Sequence, residues 1–269
     1  RSIRSELAWV AALGRERAVE IARPVAGRNG EYVQVLASPG GRASRHAVAF
    51  ERVPGLEPEA GADLPDWFSR LGAVTARMHG HSRRWPRPAW FKRRVWDFAA
   101  MVGPHAYWGP WRDGIGLSAA GTAVIEAALT KISGRLDVFG MGPERFGLVH
   151  ADLRLANLLV DGPHLRVIDF DDCGFSWFAY DFAASVSFIE CDPMLPALMR
   201  AWIDGYRTVA PFGEEETAML PYFVALRRVL LTAWLASHHE IPFAKSQGAE
   251  FTAGTVAVAE AMLAGKFLS

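Results

Sequence analysis

A β-hairpin is predicted in the middle of an otherwise helical region, and few folds accommodate one there. Residues 157–160 (NLLV) and 165–169 (LRVID) are short apolar runs, and the four residues between them, 161–164 (DGPH), have the composition of a turn. Antiparallel pairing about this turn joins residues whose numbers sum to about 325. Asn157 is therefore expected opposite Ile168 or Asp169, at the open end of the hairpin.

Oxygen-bearing side chains are expected to gather at that open end. Asn157 offers an amide oxygen, Asp169 offers a carboxylate, and Asp152 lies in the loop that leads into the hairpin. Each of them alone could simply cap a loop. Together, with Asp171 and Asp172 adjacent, they favour a site for a hard divalent cation such as Mg²⁺. Asp152 would reach a substrate hydroxyl beside the metal, and as a loop carboxylate it is expected to contribute little to folding.

The remaining sequence divides at the linker 54–58 (PGLEP). Before it, an apolar stripe predicts a helix near the start of the chain, followed by strands over 31–37 and 47–53 with a loop at 38–44. After it, helices are predicted over 65–81, 118–136, 177–190, 194–206, from Pro221 to about 238, and 250–263. The predicted class is α+β, with a small mixed lobe (1–54) and a larger, mainly helical lobe (55–269) that contains the hairpin.

Composition narrows the function classes. The chain has 29 Lys and Arg against 29 Asp and Glu, and this zero net charge argues against a nucleic-acid binder. The longest apolar run, 229–236, is far shorter than the ~20 residues that cross a bilayer, so no membrane protein is expected. Two cysteines, Cys173 and Cys191, and no cationic leader are typical of reduced thiols in a cytoplasmic protein.

Two segments carry a resemblance to known enzymes. Residues 147–157 (GLVHADLRLAN) resemble the catalytic loop H-x-D-x-x-x-x-N of eukaryotic-like kinases, and 167–172 (VIDFDD) resemble the segment with their metal-binding aspartate. With Gly174 and the run 181–184 (DFAA), they look most similar to the aminoglycoside phosphotransferase and choline kinase superfamily, which includes type II homoserine kinases and a bacterial stress-response kinase. Ala151 stands where these families commonly have Gly. The resemblance implies a two-lobed, protein-kinase-like fold.

The resemblance also implies roles for the residues around the hairpin. Asp152 is the catalytic base that orients the acceptor hydroxyl, and Asn157 and Asp169 hold Mg²⁺ or Mn²⁺. Arg154 would balance charge on the transferring phosphoryl group, or would form an ordinary surface ion pair. His150 and, further along the chain, Asp181 are expected to support the loop rather than to contact substrate.

In the small lobe, the resemblance concerns nucleotide binding. Glu6 corresponds to the helix glutamate that pairs with a phosphate-binding lysine, although an exposed helix glutamate is an equally open interpretation. The segment containing Phe50, Glu51 and Val53 resembles the hinge that binds the adenine of ATP. No glycine-rich phosphate loop and no strand lysine precede Glu6, and the first residue is Arg1 rather than Met. We therefore expect the native gene to encode further residues before Arg1, and the strands of this lobe to show an unpaired edge.

The predicted function is transfer of the γ-phosphoryl group of ATP or GTP to a hydroxyl of a small molecule, such as an aminoglycoside, a choline-like amine or homoserine. Six of the ten tryptophans lie between residues 67 and 111, and with Asp97 and Asp113 they could line a pocket for a cationic acceptor or simply pack helices together. One alternative is a non-catalytic pseudokinase scaffold. Another is a haloacid dehalogenase-type phosphatase with Asp169 as nucleophile and Asp171 as acid. The oligomeric state is left open.

Overall fold

A helix and four short strands form the N-terminal part of the computed structural model, which describes residues 2–37, 44–59, 61 and 63–268. Helix α1 (Ser2–Arg15) buries Leu7, Trp9, Val10 and Leu13 on one face, as its apolar periodicity predicts. Strands follow in two antiparallel pairs: β1 (Pro24–Val25) with β4 (Ala49–Phe50), and β2 (Gln34–Leu36) with β3 (Arg45–Ala47).

The predicted strands of this part are present but shorter than expected. The predicted strand 47–53 is divided, because β3 and β4 pair with different partners on either side of Val48. Each of these sheets has two strands among the residues that the structure describes, so one edge of β4 is unpaired within them. The predicted loop lies outside the described residues except for Ser44. The lobe boundary at residue 54 stays a prediction.

Most of the remaining chain is helical, which confirms the α+β class. The helices are α2 (Leu64–Arg84), α3 (Phe98–Val102), α4 (Ala119–Phe139), α5 (Tyr180–Ser185), α6 (Leu195–Arg207), α7 (Glu214–Ser237) and α8 (Pro242–Leu263), which is kinked at Gly248. Short 3₁₀ turns occupy residues 111–113 and 155–157. Helix α7 begins seven residues before Pro221, which lies inside it. Acidic residues in its first turn favour this earlier start, because they complement the helix dipole and Glu216 accepts from the N–H of Gly213.

The predicted helix over 177–190 is wrong at both ends. Trp177 is the last residue of strand β8 (Gly174–Trp177), which pairs antiparallel with β5 (Phe146–Val149). Pairing with β5 satisfies the backbone groups of this segment, so the chain becomes helical only at Tyr180. The helix then ends at Ser185, and Phe188 adopts a left-handed backbone (φ 71°) that no α-helix continues.

The predicted hairpin is confirmed with its register. Strand β6 (Leu158–Asp161) pairs with β7 (His164–Val167), and Leu158 lies opposite Val167. The Ile168 N–H donates to the Asn157 carbonyl at 3.0 Å, which places these two residues opposite each other at the open end. Single bridges from Ile21 to Val167 and from Leu56 to Val160 attach the N-terminal part of the chain to the hairpin.

Helices α2 and α6 pack closely because each has a glycine where it contacts the other. A Cβ atom at Gly72 would clash with the Trp202 carbonyl, and one at Gly205 would clash with the Ser69 carbonyl. This close approach fixes α2, whose buried His79 forms a hydrogen bond with Asp181 of α5.

Helix α7 forms the centre of the larger part. By length and composition it could span a membrane, but 78% of its most apolar window is buried inside the fold, where it packs against α5 and α8. Both cysteines are free thiols, with Cys173 buried and Cys191 exposed.

Candidate active site

A pocket of about 480 Å³ opens beside the end of the hairpin. Its size is typical of small-molecule sites. The pocket combines charged groups with a largely aromatic wall, and its lining residues are Asp152, Arg154, Asp169, Asp172, Arg227, Trp108, Phe188, Leu231, Trp234, Ile241 and Phe243. Three predicted site residues, Asp152, Arg154 and Asp169, therefore meet in one cavity.

Asp181 anchors the loop that carries Asp152 by accepting hydrogen bonds from its backbone. The carboxylate of Asp181 accepts from the backbone N–H groups of His150 (3.2 Å) and Ala151 (2.7 Å), and from Nε2 of His79 (3.0 Å). Ala151 has a positive φ of 68°, a conformation that glycine adopts without strain. The hydrogen bonds that the Asp181 carboxylate accepts offset this strain and confirm its predicted supporting role.

His150 also has a structural role, as expected. Its ring is buried, Nδ1 accepts from the Asp152 N–H at 3.2 Å, and Nε2 lies 3.2 Å from the Ile168 carbonyl. Burial lowers the pKa of His150, and a neutral ring with its proton on Nε2 satisfies both contacts. His150 thus joins the catalytic loop to the strand end that precedes Asp169.

Three donors converge on the Asp152 carboxylate. Oδ1 accepts from Nη2 of Arg227 at 2.6 Å, whereas Oδ2 accepts from Nδ2 of Asn157 at 2.7 Å and from Nε of Arg154 at 3.4 Å. The carboxylate remains 16% exposed to the pocket. Both open roles of Arg154 fit this geometry, because it pairs with Asp152 and also lines the pocket.

The residues around Asn157 fit a divalent cation. Its Nδ2 donates to both the carbonyl and the carboxylate of Asp152, which leaves the amide Oδ1 as an available oxygen donor. Asp169 has an exposed carboxylate and a left-handed backbone (φ 60°), a conformation that aspartate tolerates better than most residues. Among the described residues no group of three His, Cys, Asp or Glu side chains is placed to hold a metal ion. The pairing of Asn157 with Asp169 as metal ligands stays a prediction.

Sequence reasoning missed Arg227, which lies on α7 far from both motifs. Its side chain is only 2% exposed and donates to the Asp152 carboxylate, the Ala151 carbonyl, the Tyr180 hydroxyl and Ser187 Oγ. A buried arginine is retained when its charge is paired and its donors are satisfied. The only signal in the sequence was the Arg227-Arg228 pair inside an apolar helix, where a charge needs a partner.

A second missed arginine, Arg93, ties α1 to residues 170–173, which directly follow the predicted metal ligand Asp169. Its guanidinium donates to the carbonyls of Cys173 (2.5 Å), Phe170 and Asp171, and to Ser2. It also lies 3.9 Å from Glu6, which is buried rather than exposed. Burial raises the pKa of Glu6 to about 7. The Arg93 charge partly offsets this rise, and the nearby carboxylates of Asp171, Asp169 and Asp172 add to it.

We expect Glu6 to make folding depend on pH. Because the folded-state pKa lies above the ordinary value of 4.5, the folded protein binds the extra proton, and this stabilising effect is lost as the pH rises toward 7. The wild type should lose stability over this range, whereas Glu6→Gln has no carboxyl to titrate at this position. The unfolding free energy of the variant minus that of the wild type should therefore rise by about 3 kcal/mol between about pH 5 and about pH 8. Urea unfolding at several pH values measures this gain. Parallel stability curves for the two proteins would contradict it.

The other predicted ligand residues lie away from this pocket. The backbone N–H of Glu51 donates to the Arg23 carbonyl, Phe50 is exposed, and none of Phe50, Glu51 and Val53 lines the cavity, so their adenine-binding role stays a prediction. Of the six clustered tryptophans only Trp108 lines the pocket. Asp97 instead caps α3 through the Ala100 N–H.

A third acidic residue, Asp172, lines the pocket together with Asp152 and Asp169. Burial raises its pKa to about 6, and the nearby Asp152 carboxylate adds to this effect. Arg94 lies 3.8 Å away and partly offsets it.

Comparison with known proteins agrees with this geometry. The sequence model of the phosphotransferase enzyme family matches residues 1–217. The solved structure of a microcompartment-associated aminopropanol kinase is 43% identical and has a TM-score of 0.91, over 100% of this chain and 83% of that one. Amicoumacin kinase of Bacillus subtilis (strain 168) is 24% identical over 251 residues, covering 88% of this chain and 70% of the relative.

A further solved structure is that of amicoumacin kinase hAmiN in complex with AMP-PNP, Ca²⁺ and Ami. It is 22% identical, covers 99% of this chain and 78% of that one, and has a TM-score of 0.76. The predicted resemblance to aminoglycoside phosphotransferases and choline kinases, and the protein-kinase-like fold, are thereby confirmed. The chain belongs to the phosphotransferase enzyme family and is a kinase that acts on hydroxyl groups.

Proposed function

We propose that this enzyme phosphorylates the hydroxyl group of a small amino alcohol, with ATP as donor. The observation that carries the proposal is the composition of the pocket, in which Asp152 and Asp169 share the cavity with a third carboxylate, Asp172, and with several aromatic rings. Such a cavity suits a short molecule with a hydroxyl at one end and an ammonium group at the other. The likeness to an aminopropanol kinase supports the same acceptor class.

Asp152 acts on the acceptor hydroxyl. Arg227 and Asn157 fix its carboxylate, and the exposed part of the carboxylate accepts the hydroxyl proton. The acceptor oxygen then bonds to the γ-phosphorus while the bond to the bridging oxygen breaks and ADP leaves. Such transfers are catalysed mainly by positioning and electrostatics. Arg154, at the rim of the pocket, places a positive charge beside the moving phosphoryl group.

The Oδ1 of Asn157 and the carboxylate of Asp169 would hold a divalent cation, Mg²⁺ or Mn²⁺. When bound, this ion neutralises charge on the β- and γ-phosphates. The amicoumacin kinase complex with AMP-PNP and Ca²⁺ supports the use of ATP and a divalent ion by this fold. Arg93 and Glu6 hold the metal-binding segment against α1, in keeping with the predicted role of Glu6 in nucleotide binding.

Asp172 and the aromatic wall would recognise the ammonium group. Trp108 and Trp234 stand in the same wall, their ring centroids 6.5 Å apart, and tryptophan faces attract cations more strongly than other rings. The deprotonated carboxylate of Asp172 would supply the opposite charge. An acceptor without the amine would leave this partly buried carboxylate with only Arg94, 3.8 Å away, as its ion-pair partner, so amines should be preferred.

We expect kcat/KM for aminopropanol to exceed that for propanediol at least ~100-fold, because of the two acceptors only the amine brings a positive charge to Asp172. ADP release, measured on the protein expressed from its complete coding sequence, tests this preference. In Asp172→Asn the preference should fall at least ~tenfold. Asp97→Asn is the matched control, because that side chain caps α3 outside the pocket and asparagine caps equally well. Equal rates with both acceptors would overturn the proposal.

The two alternative functions differ from the proposed one in the fold they require or in the product they form. A haloacid dehalogenase-type phosphatase needs a doubly wound α/β domain after Asp172, whereas here an antiparallel strand and helices follow. A pseudokinase scaffold would bind nucleotide without forming a phosphorylated product. Membership of the phosphotransferase family favours catalysis.

A further inference from the structure

A second cavity, of about 680 Å³, lies between the segment after α1, helix α2 and the tip of the hairpin. It shares no lining residue with the catalytic pocket. Its rim carries five arginines against two glutamates, in a chain whose total charge is balanced: Arg17, Arg23, Arg70, Arg77 and Arg166, with Glu20 and Glu51.

Much of this positive charge is not compensated within the protein. Glu20 is already paired with Arg166 (3.3 Å) and with His164 (2.8 Å). By contrast, the guanidinium groups of Arg17, Arg23 and Arg77 make no hydrogen bond or ion pair with the residues that the structure describes. Guanidinium groups that converge on one cavity and lack carboxylate partners are suited to oxyanions, which they bind by charge-assisted, often bidentate hydrogen bonds.

Two of the arginines are held in place by the fold. Arg70 donates to the Pro163 carbonyl at 2.7 Å, and its guanidinium lies 5.0 Å from the centre of the Trp67 ring. Arg17 occupies the left-handed position after α1 (φ 51°), in a turn closed by the hydrogen bond from Ala18 N–H to the Leu13 carbonyl. Most helices have glycine, which has no side chain, at this position. Arg17 instead places a charged side chain there, in a backbone conformation that is strained for arginine.

The floor of the cavity is apolar. Val19, Ile21, Val74 and Leu165 lie beneath the arginine rim, and all four are buried in the core. A bare anion would leave this floor uncovered, whereas a phosphate ester with an organic group would contact both the floor and the rim. The volume also matches that of a small-molecule site rather than of a single ion.

We propose that this cavity binds an organic phosphate ester, with the phosphate on the arginine rim and the organic group on the apolar floor. The ligand would bridge three parts of the fold: the segment after α1, helix α2 and strand β7.

Phenyl phosphate is a suitable probe, because it joins one phosphate to one apolar ring. Calorimetric titration of the wild type should show saturable binding, at least ~tenfold tighter than that of inorganic phosphate because the ring adds buried apolar area. The variant Arg23→Gln/Arg77→Gln should bind phenyl phosphate at least ~tenfold more weakly, because it loses two charge-assisted contacts. Neither guanidinium group has a hydrogen-bond or ion-pair partner in the described structure, so the melting temperature should change little.

Arg84→Gln/Arg200→Gln is the control, since it removes the same charge from exposed positions outside both cavities and should bind as the wild type does. Asp152→Asn should also bind as the wild type does, which separates this site from the catalytic pocket. Absence of saturable binding, or equal binding by the Arg23/Arg77 variant, would overturn the proposal. Equal affinity for inorganic phosphate would overturn the assignment of an organic ester.

Discussion

Replacing Asp152 with asparagine will reduce turnover at least ~100-fold, the lower end of the contribution expected from a general base. Asparagine keeps the shape of the side chain but cannot accept the hydroxyl proton. Its amide also presents an N–H₂ group where Arg227 or Asn157 now donates. Steady-state kinetics with the preferred amino alcohol measure the loss. Turnover within about tenfold of the wild type would remove the assignment of Asp152 as base.

The same substitution should lower stability by about 3 kcal/mol, because breaking a buried ion pair leaves one charge uncompensated. The interpretation of Asp152 as a loop carboxylate with little effect on folding overlooks this pair, since Arg227 lies 75 residues away in the sequence. Kinetics are therefore to be measured at a temperature where the variant is fully folded, as checked by circular dichroism. Nucleotide affinity serves as the internal control and should change little.

Replacing Arg227 with methionine should lower kcat at least ~tenfold, because the Asp152 carboxylate loses the donor that fixes it. Arg228→Met is the matched control. Arg228 is the next residue on α7, is equally buried, and pairs with the fully buried Glu190 at 2.5 Å, but it does not line the catalytic pocket. Both substitutions break a buried ion pair, so both should destabilise the protein, by about 3 kcal/mol or more.

Only Arg227→Met should change the kinetics of the folded enzyme. The reduction should appear in kcat more than in KM, because Arg227 positions Asp152 and is not required to bind the amine. Arg227→Lys should recover part of kcat, since it restores a buried cation without the planar fork. Equal kcat losses in the Arg227 and Arg228 variants would show that Arg227 has only a structural role.

Local patterns were enough to predict the centre of this fold. The hairpin and its register follow from a four-residue turn between two apolar runs, and the Asn157–Ile168 pairing follows from that register. The supporting role of Asp181 followed from the family resemblance and is matched by its three hydrogen bonds. Such features depend on sequence spacing and on short motifs.

Long-range contacts were not predictable in the same way. Arg227 and Arg93 reach the site from elements whose packing depends on the whole fold, and no spacing rule connects them to Asp152 or to Glu6. The strand at 174–177 was not predicted, and its last residue, Trp177, was assigned to a helix, because its partner, β5, lies almost 30 residues earlier in the chain. The interpretation that Asp97, near the tryptophan cluster, could line a pocket for a cation does not hold for this cavity. Asp172 lines it, whereas Asp97 caps α3.

The central claim is phosphoryl transfer to an amino-alcohol hydroxyl, and ³¹P nuclear magnetic resonance of a reaction with ATP, Mg²⁺ and aminopropanol tests it most directly. We expect a new phosphomonoester resonance to grow in step with ADP, and to be absent with Asp152→Asn. Release of inorganic phosphate alone would show hydrolysis instead of transfer. Nucleotide binding with no new phosphorus resonance for any amino alcohol would contradict the account and leave the scaffold interpretation in its place.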